Sequence, residues 1–169
     1  QLGADAKGIK PCTKLINQTI EKAASEGGGT IYFPAGTYLT ATIHMKSNIT
    51  LHLESGAIVR FSDRFEDYLP FVTARWEGTV MQTLSPLIYA HSADNLTITG
   101  RGTLDGNGLK WWLWEFETRK VIKENGGKLP SLDKLQQMWV DANKDLEISD
   151  YYKPSLERKM FRPPFIQFY

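Results

Sequence analysis

The chain has 169 residues, 41% of them hydrophobic and 23% charged, which allows a substantial buried core and excludes global disorder. Lys and Arg total 20 against 19 Asp and Glu with no long basic block, so a broad nucleic-acid surface is excluded. The single cysteine, Cys12, excludes an intrachain disulfide and a cysteine-rich zinc site, and no run approaches the roughly 18 apolar residues of a membrane span.

Residues 13–26 read as an amphipathic helix. Leu15, Ile16, Ile20, Ala23 and Ala24 share a face, and Thr13 is the expected N-cap. Gly27-Gly28-Gly29 ends it, because glycine readily takes the left-handed conformation beyond a helix C-terminus. The same glycines make a poor phosphate loop, since they follow a helix and do not precede one. From Thr30 to Phe61 the texture is one of short, interrupted strands. Thr30-Ile31-Tyr32-Phe33 stops at Pro34-Ala35-Gly36, and Tyr38 to Met45 alternates up to a turn at Lys46-Ser47-Asn48. Ile49 to Leu53 alternates again before Ser55-Gly56 and Ala57-Ile58-Val59. Such pieces suit neither a doubly wound sheet nor long hairpins.

Residues 62–85 read as a long break. Beyond it Leu87–Ala90 is a strand, and Asn95-Leu96-Thr97-Ile98-Thr99-Gly100 echoes Asn48-Ile49-Thr50-Leu51-His52-Leu53. The offset of 47 between Asn48 and Asn95 is what two solenoid coils of roughly 23 residues would give. Ile49, Leu51 and Leu53, and Leu96 and Ile98, have the period of two that stacked coils require. A β-sandwich is the competing all-β reading.

Residues 109–164 differ in kind. Trp111, Trp112, Trp114 and Phe116 lead into a charged stretch, and Leu132, Leu135, Met138, Trp139 and Ala142 mark an amphipathic helix capped by Ser131. Tyr151-Tyr152-Lys153-Pro154 ends that region. The expected fold is all-β, a right-handed parallel β-helix forming a single domain over 1–169. It comprises a capping helix at 13–26, first coils at 28–108, a partly helical insertion at 109–164 and the start of a next coil at 165–169. The apolar strand Phe165–Tyr169, with nothing to cover it, leads us to expect a truncated solenoid that tends to associate. Gln1-Leu2-Gly3-Ala4-Asp5 is unlike a signal peptide.

Two stretches carry a family resemblance. GGGTIYFPAGTYLTATIHMKSNITLHLESGA (27–57) and DNLTITGRGTLDGNG (94–108), the latter followed by the tryptophans, closely resemble the first coils of family 28 glycoside hydrolases, the polygalacturonases and their relatives. The opening alone is shared in part with pectate lyases and tailspikes. The resemblance implies hydrolysis of α-linked galacturonic acid with inversion. In that scheme one carboxylic acid protonates the leaving oxygen while a carboxylate on the opposite face activates water. It also implies a polyanionic pectic polysaccharide or oligogalacturonide as partner, no cofactor or metal, and a secreted or periplasmic location. A lyase, or a non-catalytic carbohydrate-binding or structural β-helix, is the alternative.

The family's acids come from Asn-x-Asp and Asp-Asp motifs, with Gly-His-Gly and Arg-x-Lys completing the site. All four are expected to lie in later coils, so no catalytic residue is assigned within this chain. There is no Asp-Asp pair, His44, His52 and His91 lack flanking glycines, and Arg119-Lys120 and Arg158-Lys159 are adjacent pairs.

The resemblance points instead to Arg75-Trp76-Glu77-Gly78, in the break at 62–85, as a wall of the substrate groove. Arg75 would hold a galacturonate carboxylate by a two-point contact. Trp76 would stack on a sugar face, and Glu77 would accept a hydroxyl or orient Arg75. The competing reading is a loop staple, with Trp76 buried and Arg75 paired to Glu77. Trp111, Trp112 and Trp114 read as packing residues beneath the helical insertion, and Tyr151 and Tyr152 are discounted similarly. Asp63, Glu66 and Asp67, with Arg64 among them, read as a solvated loop. Asp105 reads as an Asx-type turn, because the other ligands of a calcium loop are missing. The sequons at Asn17, Asn48 and Asn95 are expected to carry no sugar.

Overall fold

The computed structural model describes residues 3–76, 79–127, 131, 133–145 and 162–169. In chain order the elements are α1 (Thr13–Ser25), β1 (Gly29–Phe33), β2 (Gly36–Thr40), β3 (Ile43–His44), β4 (Ile49–Leu53) and β5 (Ala57–Phe61). A 3-10 turn (Phe65–Tyr68), β6 (Val72–Trp76), β7 (Thr79–Thr83), β8 (Ile88–Ala90), β9 (Thr97–Gly100) and β10 (Thr103–Asp105) follow. Last come α2 (Leu109–Glu124), α3 (Lys134–Asn143) and β11 (Ile166–Phe168).

Parallel strands cannot be joined by two-residue hairpins and pair across longer connections. That is the pattern here, in three sheets of order β1-β4-β9, β2-β5-β10 and β3-β8-β11. The chain visits the first, second and third sheet in the same order three times over. The run Tyr38–Met45, read as one alternating stretch, is two strands in two sheets, bent at the buried corner Ala41-Thr42.

Register corrects the repeat length. Gly29 pairs with Ile49 and Gly36 with Ala57, so one complete circuit takes 20 or 21 residues. Thr50 pairs directly with Thr97. The offset of 47 therefore spans a single circuit lengthened by the excursion through 62–85, and not two coils of about 23. A sequence echo measures distance along the chain and is silent about how many circuits that distance contains.

The echo itself has a structural cause. Asn48 and Asn95 both take positive φ, 63° and 55°, and the Asn95 side-chain amide donates to Asn48 Oδ1 at 3.0 Å. Asparagine enters this region more readily than other side chains. Asn48 N–H donates to Asp94 O at 2.9 Å, and Gly29 N–H to Asn48 O at 3.0 Å, so the corners stack on one another. Gly28, at φ 121°, has no room for a Cβ, which would lie 2.5 Å from Asn48 Cβ.

Alternation places the core. Ile31 and Phe33 of β1, Ile49, Leu51 and Leu53 of β4, and Ala57, Val59 and Phe61 of β5 are buried, with Ile43 of β3 and Ile88 of β8. Each such aliphatic side chain contributes about 1.5–3 kcal/mol by leaving water. α1 packs against β1, β3 and β4 through Ile16 and Ile20. Asn17 pins it, donating to Thr42 O (2.9 Å) and accepting from His44 N–H (2.8 Å). Thr13 is not the N-cap; Cys12 holds that position without a side-chain cap. The Thr13 hydroxyl is instead drawn across to the backbone of Ala41, whose N–H donates to it at 2.7 Å.

The chain divides into two compact units. One comprises residues 1–68, 86–107 and 164–169, the other 69–85 and 108–163. The second holds an antiparallel hairpin, β6 with β7, in a stretch that reads from sequence only as a break. α3 begins later than expected. Asp133, not Ser131, is its N-cap, with a reciprocal capping box in which Gln136 N–H donates to Asp133 Oδ1 and Asp133 N–H to Gln136 Oε1, both at 2.8 Å. Leu132, Tyr151 and Tyr152 lie outside the described residues. No helix among the described residues is long and apolar enough to cross a membrane.

Candidate functional site

Arg75 and Trp76, expected from the sequence to line a substrate groove, stand at the end of β6 in the hairpin. Ala74 and Met81 are cross-strand partners and both buried, as is Thr83 opposite Val72. The next residue on each strand faces the other way, so Arg75 and Val80 pair on the exposed face. Trp76 is in register with Thr79. Glu77 and Gly78 lie outside the described residues, as does the side chain of Trp76.

An isolated two-stranded hairpin is marginal in water, and α3 supplies what this one lacks. Asn143, 3% exposed, clamps the outer edge of β7 as a further strand would. Its Oδ1 accepts from Gln82 N–H at 2.8 Å and its Nδ2 donates to Gln82 O at 2.8 Å. Trp139 Nε1 donates to the same carbonyl at 2.6 Å, and the ring packs with Met81, Phe71 and Val140. Gln82 Nε2 in turn donates to Thr73 Oγ1 (2.9 Å), tying the strands on the Arg75 face. Arg75 therefore projects from a braced support.

Asn143 also corrects an expectation. Asn143-Lys144-Asp145 does spell Asn-x-Asp, although no such motif was expected within the chain. Its Asn is committed to the Gln82 backbone, so this spelling serves the hairpin's support.

A second group of polar side chains lies on the outer face of the third sheet. His44 and Tyr89 are register partners with rings 5.7 Å apart, nearly perpendicular. Two residues beyond Tyr89, His91 packs on Tyr169 at 5.1 Å, and the Ser92 hydroxyl lies 3.1 Å from His91 Nδ1. Burial pushes the His44 imidazole below its usual value, with Lys46 reinforcing and Glu21 opposing the shift. Burial raises the Tyr89 phenol, and Tyr169 adds to it. On the first sheet His52 stacks on Tyr32 at 5.4 Å, and the Tyr32 hydroxyl donates to Glu54 at 2.8 Å. Sequence reasoning passed over these aromatic rows. The available signal was that each residue alternates with an inward-facing apolar one.

The other candidates resolve locally. Asp67 accepts from the Ser62 hydroxyl at 2.6 Å and lies 3.9 Å from Arg64, in a solvated 3-10 turn. Asp105 forms the expected Asx-type turn, accepting from Asn107 N–H at 2.9 Å, and pairs with Arg60 at 2.8 Å. Those two contacts, the backbone one first, hold its carboxyl below the usual range. Trp111 is buried as expected, whereas Trp112 on the same helix is 60% exposed.

Residues 1–118 match the family model described as rhamnogalacturonase A/epimerase, pectate lyase-like. A probable polygalacturonase of Vitis vinifera is 32% identical over 99 residues, 55% of this chain and 20% of that protein. The crystal structure of a hyperthermoactive exopolygalacturonase from Thermotoga maritima matches with a TM-score of 0.71 and 34% identity, over 99% of this chain and 37% of that one. The family 28 exopolygalacturonase of Yersinia enterocolitica matches with a TM-score of 0.53 and 32% identity, over 63% of this chain and 20% of that one. The chain thus spans 20% of the length of the Vitis vinifera protein and 37% and 20% of these two solved chains. The motif resemblance to family 28 glycoside hydrolases is borne out, and the chain belongs to the rhamnogalacturonase A/epimerase, pectate lyase-like family.

Proposed function

We propose that this chain is part of a right-handed parallel β-helix that hydrolyses α-linked galacturonic acid, in pectin or its oligomers, with inversion. The observation that carries this reading is the match to an exopolygalacturonase structure along 99% of the chain at 34% identity. The fixed cyclic order of three parallel sheets supports the solenoid, with α1 as its cap. In this reading the catalytic acids stand outside residues 1–169. Arg75 receives a galacturonate carboxylate, Trp76 meets a sugar face and Glu77 accepts a sugar hydroxyl or orients Arg75. A polyanionic substrate outside the cytoplasm fits a secreted or periplasmic location.

The test incubates a longer polypeptide that contains residues 1–169 with polygalacturonate. The first product should carry the inverted anomeric configuration by NMR. An unsaturated product would identify elimination, and no product at all would remove the hydrolase reading. Arg75→Ala should raise KM about tenfold to a hundredfold, the worth of one charge-assisted contact at about 1.5–3 kcal/mol. An unchanged KM would remove Arg75 from the site.

A further inference from the structure

The sequence places Trp111, Trp112 and Trp114 together as packing residues, and the structure separates them. Trp112, Leu113 and Phe116 lie on one exposed face of α2, at 60%, 56% and 75% exposure. Spacings of three and four residues put them on one stripe of the helix, so this is a continuous apolar strip facing water. Such a strip on a helix that also buries Trp111 calls for a reason.

The charged neighbours supply one. Glu115, with a side chain only 15% exposed, holds two arginines. Arg119 donates to Glu115 Oε1 through Nε at 3.0 Å and through a terminal nitrogen. Arg162, brought in from far along the chain, lies with Nε 3.1 Å from Glu115 Oε2. Its guanidinium carbon also lies 4.5 Å above the centre of the Trp112 ring. One carboxylate therefore faces two guanidiniums, leaving one net positive charge beside an exposed aromatic strip. A guanidinium carries five N–H donors in a rigid fork suited to a carboxylate, more than the contact with Glu115 uses.

We propose that Trp112, Phe116, Arg119 and Arg162 form an auxiliary binding surface for one uronate unit of an acidic polysaccharide. This surface shares no residue with the groove wall proposed at Arg75–Glu77. A uronate presents an apolar C–H face and a planar carboxylate on one ring. The aromatic strip takes the first, and the Arg162 guanidinium, oriented by Trp112 and Glu115, takes the second. The charge complementarity selects an acidic glycan over a neutral one. The choice of galacturonan as that glycan rests on the proposed function above.

The test is affinity electrophoresis of the 169-residue chain through gels containing polygalacturonate, compared with fully methyl-esterified pectin. The chain should be retarded by the acid form and run freely in the ester. In an Arg75→Ala background, adding Arg162→Ala or Trp112→Ala should weaken the remaining retardation about tenfold, and Arg162→Lys should fall between. Because Trp112 is mostly exposed, its removal tests the site even if Arg162→Ala perturbs folding. If the double variants migrate like Arg75→Ala alone, or the ester gel retards the chain equally, this surface is not a uronate site. Failure of the hydrolase reading would appear separately, as absence of galacturonate release.

Discussion

Replacing Gly100 by alanine tests the stacking of one circuit on the next. Gly100 has φ 109°, and a Cβ there would lie 2.0 Å from Leu53 O and 2.7 Å from Leu53 C, overlapping the backbone of the neighbouring circuit. The obstructed carbonyl accepts from Arg101 N–H at 2.9 Å and Gly102 N–H at 3.1 Å. Gly27→Ala isolates the conformational part, because φ is 100° there and a Cβ would meet nothing within 4 Å. The positive φ costs an alanine about 1–2 kcal/mol at either site. At Gly100 the overlap also forces β9 away from β4, weakening two hydrogen bonds worth about 1 kcal/mol each. We therefore expect losses of about 1–2 kcal/mol for Gly27→Ala and about 3–4 kcal/mol for Gly100→Ala, read from urea unfolding followed by circular dichroism. Equal losses would refute the claim that Gly100 is required by the approach of Leu53.

Three further outcomes follow from named contacts. Leu51, fully buried in the middle strand of the first sheet, should cost about 2–5 kcal/mol as Leu51→Ala, whereas exposed Thr99→Ala should stay within about 0.5 kcal/mol. Asn143→Ala should raise hydrogen exchange at the Gln82 amide by about tenfold or more, since it orphans that N–H; Asn143→Asp should restore protection of this N–H while opposing the Gln82 carbonyl. His44, held below its ordinary value of 6.5 by burial and then by Lys46, contributes stability that is full above pH 6.5 and is lost as pH falls through its lower folded value. The melting temperature should therefore drop between neutral pH and pH about 5 more in the parent than in His44→Gln, and parallel curves would show that His44 does not supply the dependence.

Much of the first unit was legible because its signals are local. A period of two says which residues of β4 and β5 face inward whatever the strands pair with, and Leu51 and Val59 are fully buried accordingly. Gly27 and Gly28 end α1 because their backbone conformation is a property of the residue itself. Thr13 misled for the opposite reason. Its hydroxyl has a local role available at the helix start, but the Ala41 amide, 28 positions away, takes it. The site was legible only in part. Arg75 is exposed on a strand, but the hairpin beneath it depends on Asn143 and Trp139, which no pattern near residue 75 announces.

The sequence by itself determined the family, the alternation of the strands, the glycine and asparagine corners and the first helix. Only the tertiary structure decided that Asn48 and Asn95 stand on adjacent circuits, that β6 and β7 pair antiparallel and are held by α3, and that Arg162 reaches Trp112 and Glu115. The physical reason is that closing a longer loop adds only slowly to its entropy, as the logarithm of its length. An excursion of any size can therefore return to the same register, and chain spacing does not reveal which residues will meet.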